Sequence, residues 1–519
     1  MTSSLSRRQF VTSAAALSLT PFIPRWLSAA PTSKTQHVLI QADSEIGLVR
    51  PEFHGHFAEH LGSCVYGGLW VGKDSPIPNI NGYRKQAVEY LRELGIPVLR
   101  WPGGCFADDY HWREGIGPAA QRTKRVNIHW GGYVEDNSFG THEFIGFCRL
   151  IGAEPYLAGN VGSGTPEEMR NWIEYCNMPS GSTLADERAK NGSPEPFRVR
   201  YWGVGNENWG CGGWMRPETY AEHYRQFSVY LREYGGTEPF LIASGPNGND
   251  ARWTRGFMDG LDGGVPNGIS MHYYEGGKDA PTKFSVENMN EQLARFSKVE
   301  EAVIQQRALL NGYREGSKVA LILDEWGVWD QIPREDEKRY GALWQQSTMR
   351  SAVAAGLGLN LFNRQADKLY MCNIAQMVNV LQSLLLTDGP AGKNCVRTTT
   401  YHAFSLFKPH RSKTSVKLET DDSSPLGLSA SASRKDNEVV ISLVNPSAET
   451  DIQVEATLKG TSGKEGTASL LHNSDLNAYN SLDEPNRIVP QTHPVKVDGS
   501  RIQVDLPRLS VATLTIKTA

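Results

Sequence analysis

The sequence predicts an α/β protein, a (β/α)8 barrel of the TIM type followed by a C-terminal antiparallel β-sandwich of jelly-roll kind. Two observations carry this expectation. Eight short apolar runs alternate with amphipathic helical stretches up to about residue 387, and from residue 388 the pattern changes to strands that alternate apolar and polar residues. At 519 residues, with 39% hydrophobic and 21% charged side chains, the chain has the bulk for two such domains and lacks the composition of a disordered one.

At the N-terminus, SRRQF (6–10) precedes the apolar VTSAAALSLTPFI and the small-residue site LSAAP. Residues 1–30 therefore predict a twin-arginine signal peptide, with export to the periplasm or beyond. HVLIQAD begins a strand over 37–49 that is expected to join the C-terminal sandwich. The barrel is expected over 50–387. Its strand candidates are PEFHGHFAEHLG (51–62), IPVLRWPGG (96–104), EPYLAGNVG (154–162), RYWGVGNEN (200–208), FLIASGPNG (240–248), GISMHYYEG (268–276), VALILDEWG (319–327) and LGLNLFNRQ (357–365). Most are too continuously apolar for half-exposed strands, as parallel strands covered on both faces should be. The helices between them include RKQAVEYLRELG (84–95) and PETYAEHYRQFSVYLREYG (217–235), the latter opening on Pro217 and Glu218 and closing at Gly235. Over 388–519, KTSVKLET, GLSASASRK, EVVISLVNP, DIQVEATLKG, RIQVDLP and VATLTIKTA supply the sandwich strands.

A formal net charge of −4 gives no basis for a nucleic-acid or anionic-membrane partner, and no run reaches the roughly 20 apolar residues of a membrane span. The 13 Trp and 19 Tyr suit sugar stacking as well as core packing, and the core claims most of them. Seven cysteines, at 64, 105, 148, 176, 211, 372 and 395, show no CxxC spacing and no disulfide framework. One or two bridges remain open, with Cys64, Cys105 and Cys211 the candidates.

In such a barrel the chemistry gathers where strands end. There this sequence places Glu59, Arg100, Asn160, Asn206-Glu207, Asn247, His272 with Tyr274, Glu325 and, in the loop after the last strand, Gln376. A lone carboxylate at a barrel mouth is as often an ion-pair partner as a catalyst. Glu207 in GNEN and Glu325 in DEWG form a pair on facing walls, able to approach to about 5 Å, the separation a retaining glycosidase requires. Two other readings compete. His54, His56 and His60 resemble the paired histidines of a zinc hydrolase, but the strand-five and strand-eight ends lack the remaining ligands. A non-catalytic glycan-binding protein would have little reason to keep both glutamates.

The motifs HFAEHLG, LRWPGG, DNSFGTHEF, YWGVGNEN, SMHYY, LILDEWGVW and NIAQMVNVLQ resemble the α-L-arabinofuranosidases of glycoside hydrolase family 51, from about residue 37 to the C-terminus. The resemblance implies a retaining, exo-acting enzyme on arabinose-containing oligo- or polysaccharides such as arabinan or arabinoxylan, with no cofactor and no metal. Glu207 would be the acid/base and Glu325 the nucleophile. Asn206 would bind the sugar 2-hydroxyl, and Arg100 and Tyr274 would orient Glu325. Glu59 and Gln376 would bind arabinose hydroxyls, with His272 and Trp329 also lining the sugar site. Relatives form hexamers, and some cleave glucan or xyloside, so an endo-β-1,4-glucanase or β-xylosidase is the alternative. One position departs from the family pattern: after PGG stands Cys105 where Asn is usual, and a thiol is a poor amide substitute. Either Cys105 packs beside the furanose, or Asp108, Asp109 and His111 supply the missing hydrogen bond.

Overall fold

The computed structural model describes residues 32–262 and 264–519; the expected leader over 1–30 lies outside them. The chain enters through a long strand, β1 (Thr32–Leu48). Eight strands then close into a barrel: β2 (Gly55–Phe57), β3 (Val98–Trp101), β4 (Glu154–Gly159), β5 (Tyr201–Val204), β6 (Phe240–Ala243), β7 (Gly268–Gly276), β8 (Ala320–Trp329) and β9 (Leu369–Ala375). Each pairs in parallel with the next in sequence, and β9 closes on β2 through Ile374 opposite His56. Four to seven residues suffice for most of these strands, because the helices around them bury both faces.

Helix α1 (Lys85–Leu94) shows how the local sequence sets an element. Ala87, Val88, Leu91 and Leu94 fall on one face and are buried. Gly95 ends the helix at φ 70°, a left-handed conformation that costs glycine little. Helix α2 (Pro217–Ser228) starts at Pro217 as expected but stops seven residues before Gly235. Val229 and Tyr230 are about half exposed, so nothing packs on that face to carry a further turn.

The eighth strand is not where the sequence suggests. LGLNLFNR lies inside α3 (Met349–Arg364), and β9 is the next apolar run, LYMCNIA. Helix α3 is wedged between the barrel and the C-terminal sheet, with 15 of its 16 residues buried. A Cβ at Gly356 would come within 2.8 Å of Val444 in the sheet, and one at Gly358 within 2.8 Å of Trp326 in β8. Buried on every side, the helix has lost its amphipathic period and reads like a buried strand.

After helix α4 (Thr399–Phe407), the C-terminal domain is one sheet of ten strands. These are β10 (Thr414–Thr420), β11 (Ser429–Lys435), β12 (Glu438–Asn445), β13 (Thr450–Lys459), β14 (Gly463–His472), β15 (Gln491–His493), β16 (Lys496–Asp498), β17 (Arg501–Leu506), β18 (Ser510–Thr518) and, between β10 and β13, the N-terminal β1. All pairs are antiparallel except β1 with β13, where Val38 faces Ala456. The sheet curls until Gly463 of β14 bridges Gly499, beside β16, and it encloses Val38, Ile40, Val416, Ile441, Val454 and Leu514. Each such side chain contributes about 1.5–3 kcal/mol by leaving water.

Candidate active site

The carboxyl ends of the barrel strands bring together the residues that the sequence scatters. Arg100 leaves β3 fully buried. Its Nη1 donates to Glu325 Oε1 at 2.7 Å, its Nη2 donates to Asn206 Oδ1, and its Nε lies 3.3 Å from Asp324. Tyr274, in β7, donates its hydroxyl to Glu325 Oε2 at 2.7 Å. Burial opposes the charge on Glu325, but His272 and Arg100 outweigh it and hold the carboxyl below its ordinary range. Glu325 is therefore an anion, gripped on both oxygens.

Glu207 follows β5 through a sharp turn. Gly205 sits at φ 84° and Glu207 itself at φ 44°, a left-handed conformation that costs a side-chain-bearing residue about 1–2 kcal/mol. The turn swings its carboxylate over the mouth, where Oε1 pairs with His272 Nδ1 at 2.8 Å. An oxygen of Glu207 and one of Glu325 lie within 4.8 Å of each other, matching the roughly 5 Å of a retaining pair. His272 Nδ1 also lies 3.6 Å from Glu325 Oε2. Burial disfavours the imidazolium, yet the charge of Glu325 and the bond to Glu207 prevail and raise the His272 pKa.

Opposite this pair, Glu59 accepts from Phe106 N–H (3.1 Å), Trp130 Nε1 (2.8 Å) and Gln376 Nε2 (3.2 Å). Burial, reinforced by the charge of Glu325, pushes its carboxyl up to about 7. A Cβ at Gly104 would stand 2.6 Å from Glu59 Oε2, which is why the PGG turn tolerates no side chain there. Among the polar atoms buried here without a hydrogen-bond partner in the described residues are the donor Asn206 Nδ2 and the acceptor Gln376 Oε1. Buried polar atoms of this kind normally find partners, and a polyhydroxylated ligand offers both complements. Trp329, at the end of β8, stands edge-on to Tyr274 with ring centroids 5.5 Å apart.

Several expectations change. Cys105 neither packs freely nor awaits a substitute donor, because it is bonded to Cys211, four residues after Glu207. Cys211 Sγ lies 3.5 Å from Glu207 Oε2, a contact and not a hydrogen bond, since the sulfur carries no proton. Cys64 is a buried free thiol. Asp108 is committed to the N–H groups of Val161, Gly162 and Asn206 at 2.7–2.8 Å, so it braces the Asn206 turn instead of reaching for sugar. His111 pairs with Glu168 at 2.9 Å, and Asp109 lies 3.9 Å from Arg125. Asn160 Nδ2 donates to Ser163 Oγ in its own loop and to Tyr110 O in the loop after β3. The zinc reading loses its histidines: His54 and His56 pack on Phe404 of α4, and His60 accepts from Trp101 Nε1 and pairs with Glu135. Trp130 escaped sequence reasoning, although its setting before Gly131-Gly132 marks a turn that aims an aromatic. Asp324, which the sequence marks only as the neighbour of Glu325 in DEWG and gives no role, is held by Tyr156 OH (2.8 Å) and Asn373 Nδ2 (2.7 Å). A hollow of about 480 Å³ at the seam of barrel and sheet takes no part; its Arg364 is already paired with Glu300 at 2.6 Å.

Residues 90–292 match the family model of the α-L-arabinofuranosidase 1 domain and residues 324–510 that of the α-L-arabinofuranosidase C-terminal domain. An intracellular exo-α-L-arabinofuranosidase of Bacteroides ovatus is 43% identical over 500 residues, 93% of this chain and 96% of its own. The chain belongs to the α-L-arabinofuranosidases of glycoside hydrolase family 51. Among solved structures, the family 51 arabinofuranosidase of Xanthomonas axonopodis pv. citri superimposes with a TM-score of 0.89 at 38% identity, over 93% of this chain and 100% of that one. An arabinose complex of the Thermotoga maritima α-L-arabinofuranosidase does so with 0.83 at 29% identity, over the same shares. The Bacteroides relative corrects the expectation of twin-arginine export to the periplasm or beyond: it is an intracellular protein, and export is not supported for this one. Among the described residues no helix is long and apolar enough to cross a membrane.

Proposed function

We propose that this family 51 glycoside hydrolase releases terminal α-L-arabinofuranose from arabinan or arabinoxylan with retention, Glu325 acting as nucleophile and Glu207 as acid/base. The observation that carries this is the carboxylate pair within 4.8 Å, one member an anion gripped by Arg100 and Tyr274, the other paired with His272 and more exposed. Glu325 attacks the anomeric carbon while a proton held between Glu207 and His272 passes through Glu207 to the departing oxygen. An arabinosyl ester of Glu325 results. Esterification removes the negative charge beside Glu207, which then takes a proton from water as that water displaces Glu325. Asn206 Nδ2, its partner oxygen fixed by Arg100, is free to donate to the sugar 2-hydroxyl, and Gln376 Oε1 to accept from another hydroxyl. Such contacts strengthen as charge develops at the anomeric carbon.

The test is the anomer first released from a nitrophenyl α-L-arabinofuranoside, followed by NMR before mutarotation. The α anomer is expected, and a β anomer refutes the double displacement. Release of single arabinose units, with no shortening of a xylan or glucan backbone, separates this reading from an endo-glucanase or xylosidase. Self-association to a hexamer is a further part of the proposal. The loop over 125–135 exposes Val126, Ile128, Tyr133 and Val134 together, and light scattering on the purified chain tests it.

A further inference from the structure

The Cys105–Cys211 bridge stands where the mechanism has no use for sulfur. Cys105 comes from the loop after β3 and Cys211 from the loop after β5, with their Cα atoms 5.4 Å apart. One ligand atom from each of Cys105, Cys211 and Glu207 falls within 4.8 Å of the other two, and all three residues are only partly buried. The remaining five cysteines are buried and unpaired.

We propose that, once the bridge is reduced, Cys105, Cys211 and Glu207 form a binding site for a soft divalent cation such as Zn²⁺, and that the bound cation takes Glu207 out of proton transfer. Two thiolates and a carboxylate on one small patch are a zinc-type donor set, with water completing the tetrahedron. Zinc–sulfur bonds of about 2.3 Å at a tetrahedral angle place two sulfurs about 3.8 Å apart, which a bonded pair cannot reach and a reduced pair reaches by side-chain rotation. Oxidation state is therefore the gate. A dithiol reductant gives the bridge two electrons and two protons, the S–S bond breaks into two thiols, and the reductant leaves as its own disulfide. Zn²⁺ then displaces the two thiol protons and binds both sulfurs and a Glu207 oxygen. A carboxylate so coordinated can neither carry a proton to the leaving group nor accept one from water. The buried thiols do not compete: burial pushes Cys64 up to about 11 and Cys395 to about 12, against the easily formed thiolates a metal needs.

The inhibitory consequence rests on Glu207 being the acid/base, whereas cation binding does not, and the two are read separately. Full-length protein, reduced with a dithiol and freed of it without air, is titrated with Co²⁺ beside an unreduced sample. One equivalent per chain with a near-ultraviolet thiolate-to-cobalt band is expected in the reduced sample alone. In parallel, saturating Zn²⁺ should lower nitrophenyl arabinofuranoside turnover at least tenfold in reduced enzyme, reversibly by chelator, and leave oxidised enzyme unaffected. Cys211→Ser and, independently, Cys105→Ser should each lose the band and show no Zn²⁺ inhibition relative to their own metal-free rates. Absence of the band in reduced wild type, an equal band in oxidised protein, or its survival in both variants overturns the site. A band without inhibition overturns the blocking of Glu207.

Discussion

Replacing Glu207 by Ala separates the two roles assigned to the carboxylate pair. The truncation removes the group paired with His272 at 2.8 Å but leaves Arg100 and Tyr274, each at 2.7 Å, in place on Glu325. The nucleophile is therefore intact, and only proton donation and acceptance are lost. General acid/base help is worth about 10²- to 10⁴-fold, or about 2.7–5.4 kcal/mol of barrier. An arabinoside with an alkyl leaving group should lose that full factor in its first step. A nitrophenolate leaves with little help, so with nitrophenyl arabinofuranoside the ester forms at near the wild-type rate and then persists. Stopped-flow absorbance should show a burst of one nitrophenolate per site, followed by a steady state slower by the same factor. Azide needs no deprotonation and fits where the carboxylate was, so it should restore the steady state. Attack on the ester inverts a second time, and the arabinosyl azide must have the α configuration of the substrate. A β-azide from Glu207→Ala, or an α-azide from Glu325→Ala, would show that the two roles are reversed.

Arg100→Met strips the cation from buried Glu325 and Asp324 together; breaking a buried ion pair from one side costs about 3–5 kcal/mol, to be read as a lower denaturant midpoint. Because Arg100 helps hold the Glu325 pKa down, any folded Arg100 variant should also show the acid limb of its kcat/KM profile moved to higher pH. Burial depresses His54 and His56, and holds His142 and His402 at about 4 and His410 at about 3. Between these values and the unfolded pKa of about 6.5 the unfolded chain binds more protons, so this stability is present above pH 6.5 and drains away as pH falls below it. His54→Leu, which removes two unpartnered ring nitrogens, should flatten the fall in Tm between pH 7 and pH 5; an unchanged slope refutes the assignment. Finally, the Cys105–Cys211 bridge closes a loop of 106 residues, and its reduction in metal-free buffer should lower stability by about 2–5 kcal/mol, measured by denaturant unfolding with and without a dithiol.

Much of the site was legible in the chain because each strand ends in a short polar motif. YWGVGNEN joins an apolar strand to Asn206-Glu207 through Gly205, and LILDEWG sets Glu325 within the apolar run of β8 itself, so the carboxylate pair follows from local pattern and barrel topology. The alternation of DIQVEATLKG and RIQVDLP likewise announces half-buried antiparallel strands, since one face meets a core and the other water. Tertiary structure decided what depends on neighbours distant in sequence. LGLNLFNR and LYMCNIA are both short apolar runs, and only the wedge between barrel and sheet makes the first a helix and the second the closing strand. The partner of Cys105 lies 106 residues away, and no spacing rule selects Cys211 over Cys64. His272 belongs between two carboxylates, and Asp108 beneath the Asn206 turn, because the barrel brings four strand ends to one mouth. Local sequence sets a residue's backbone and its hydrophobic face through interactions a few residues long. Which charge it meets is set by chain closure over hundreds of residues, and that is written in no single motif.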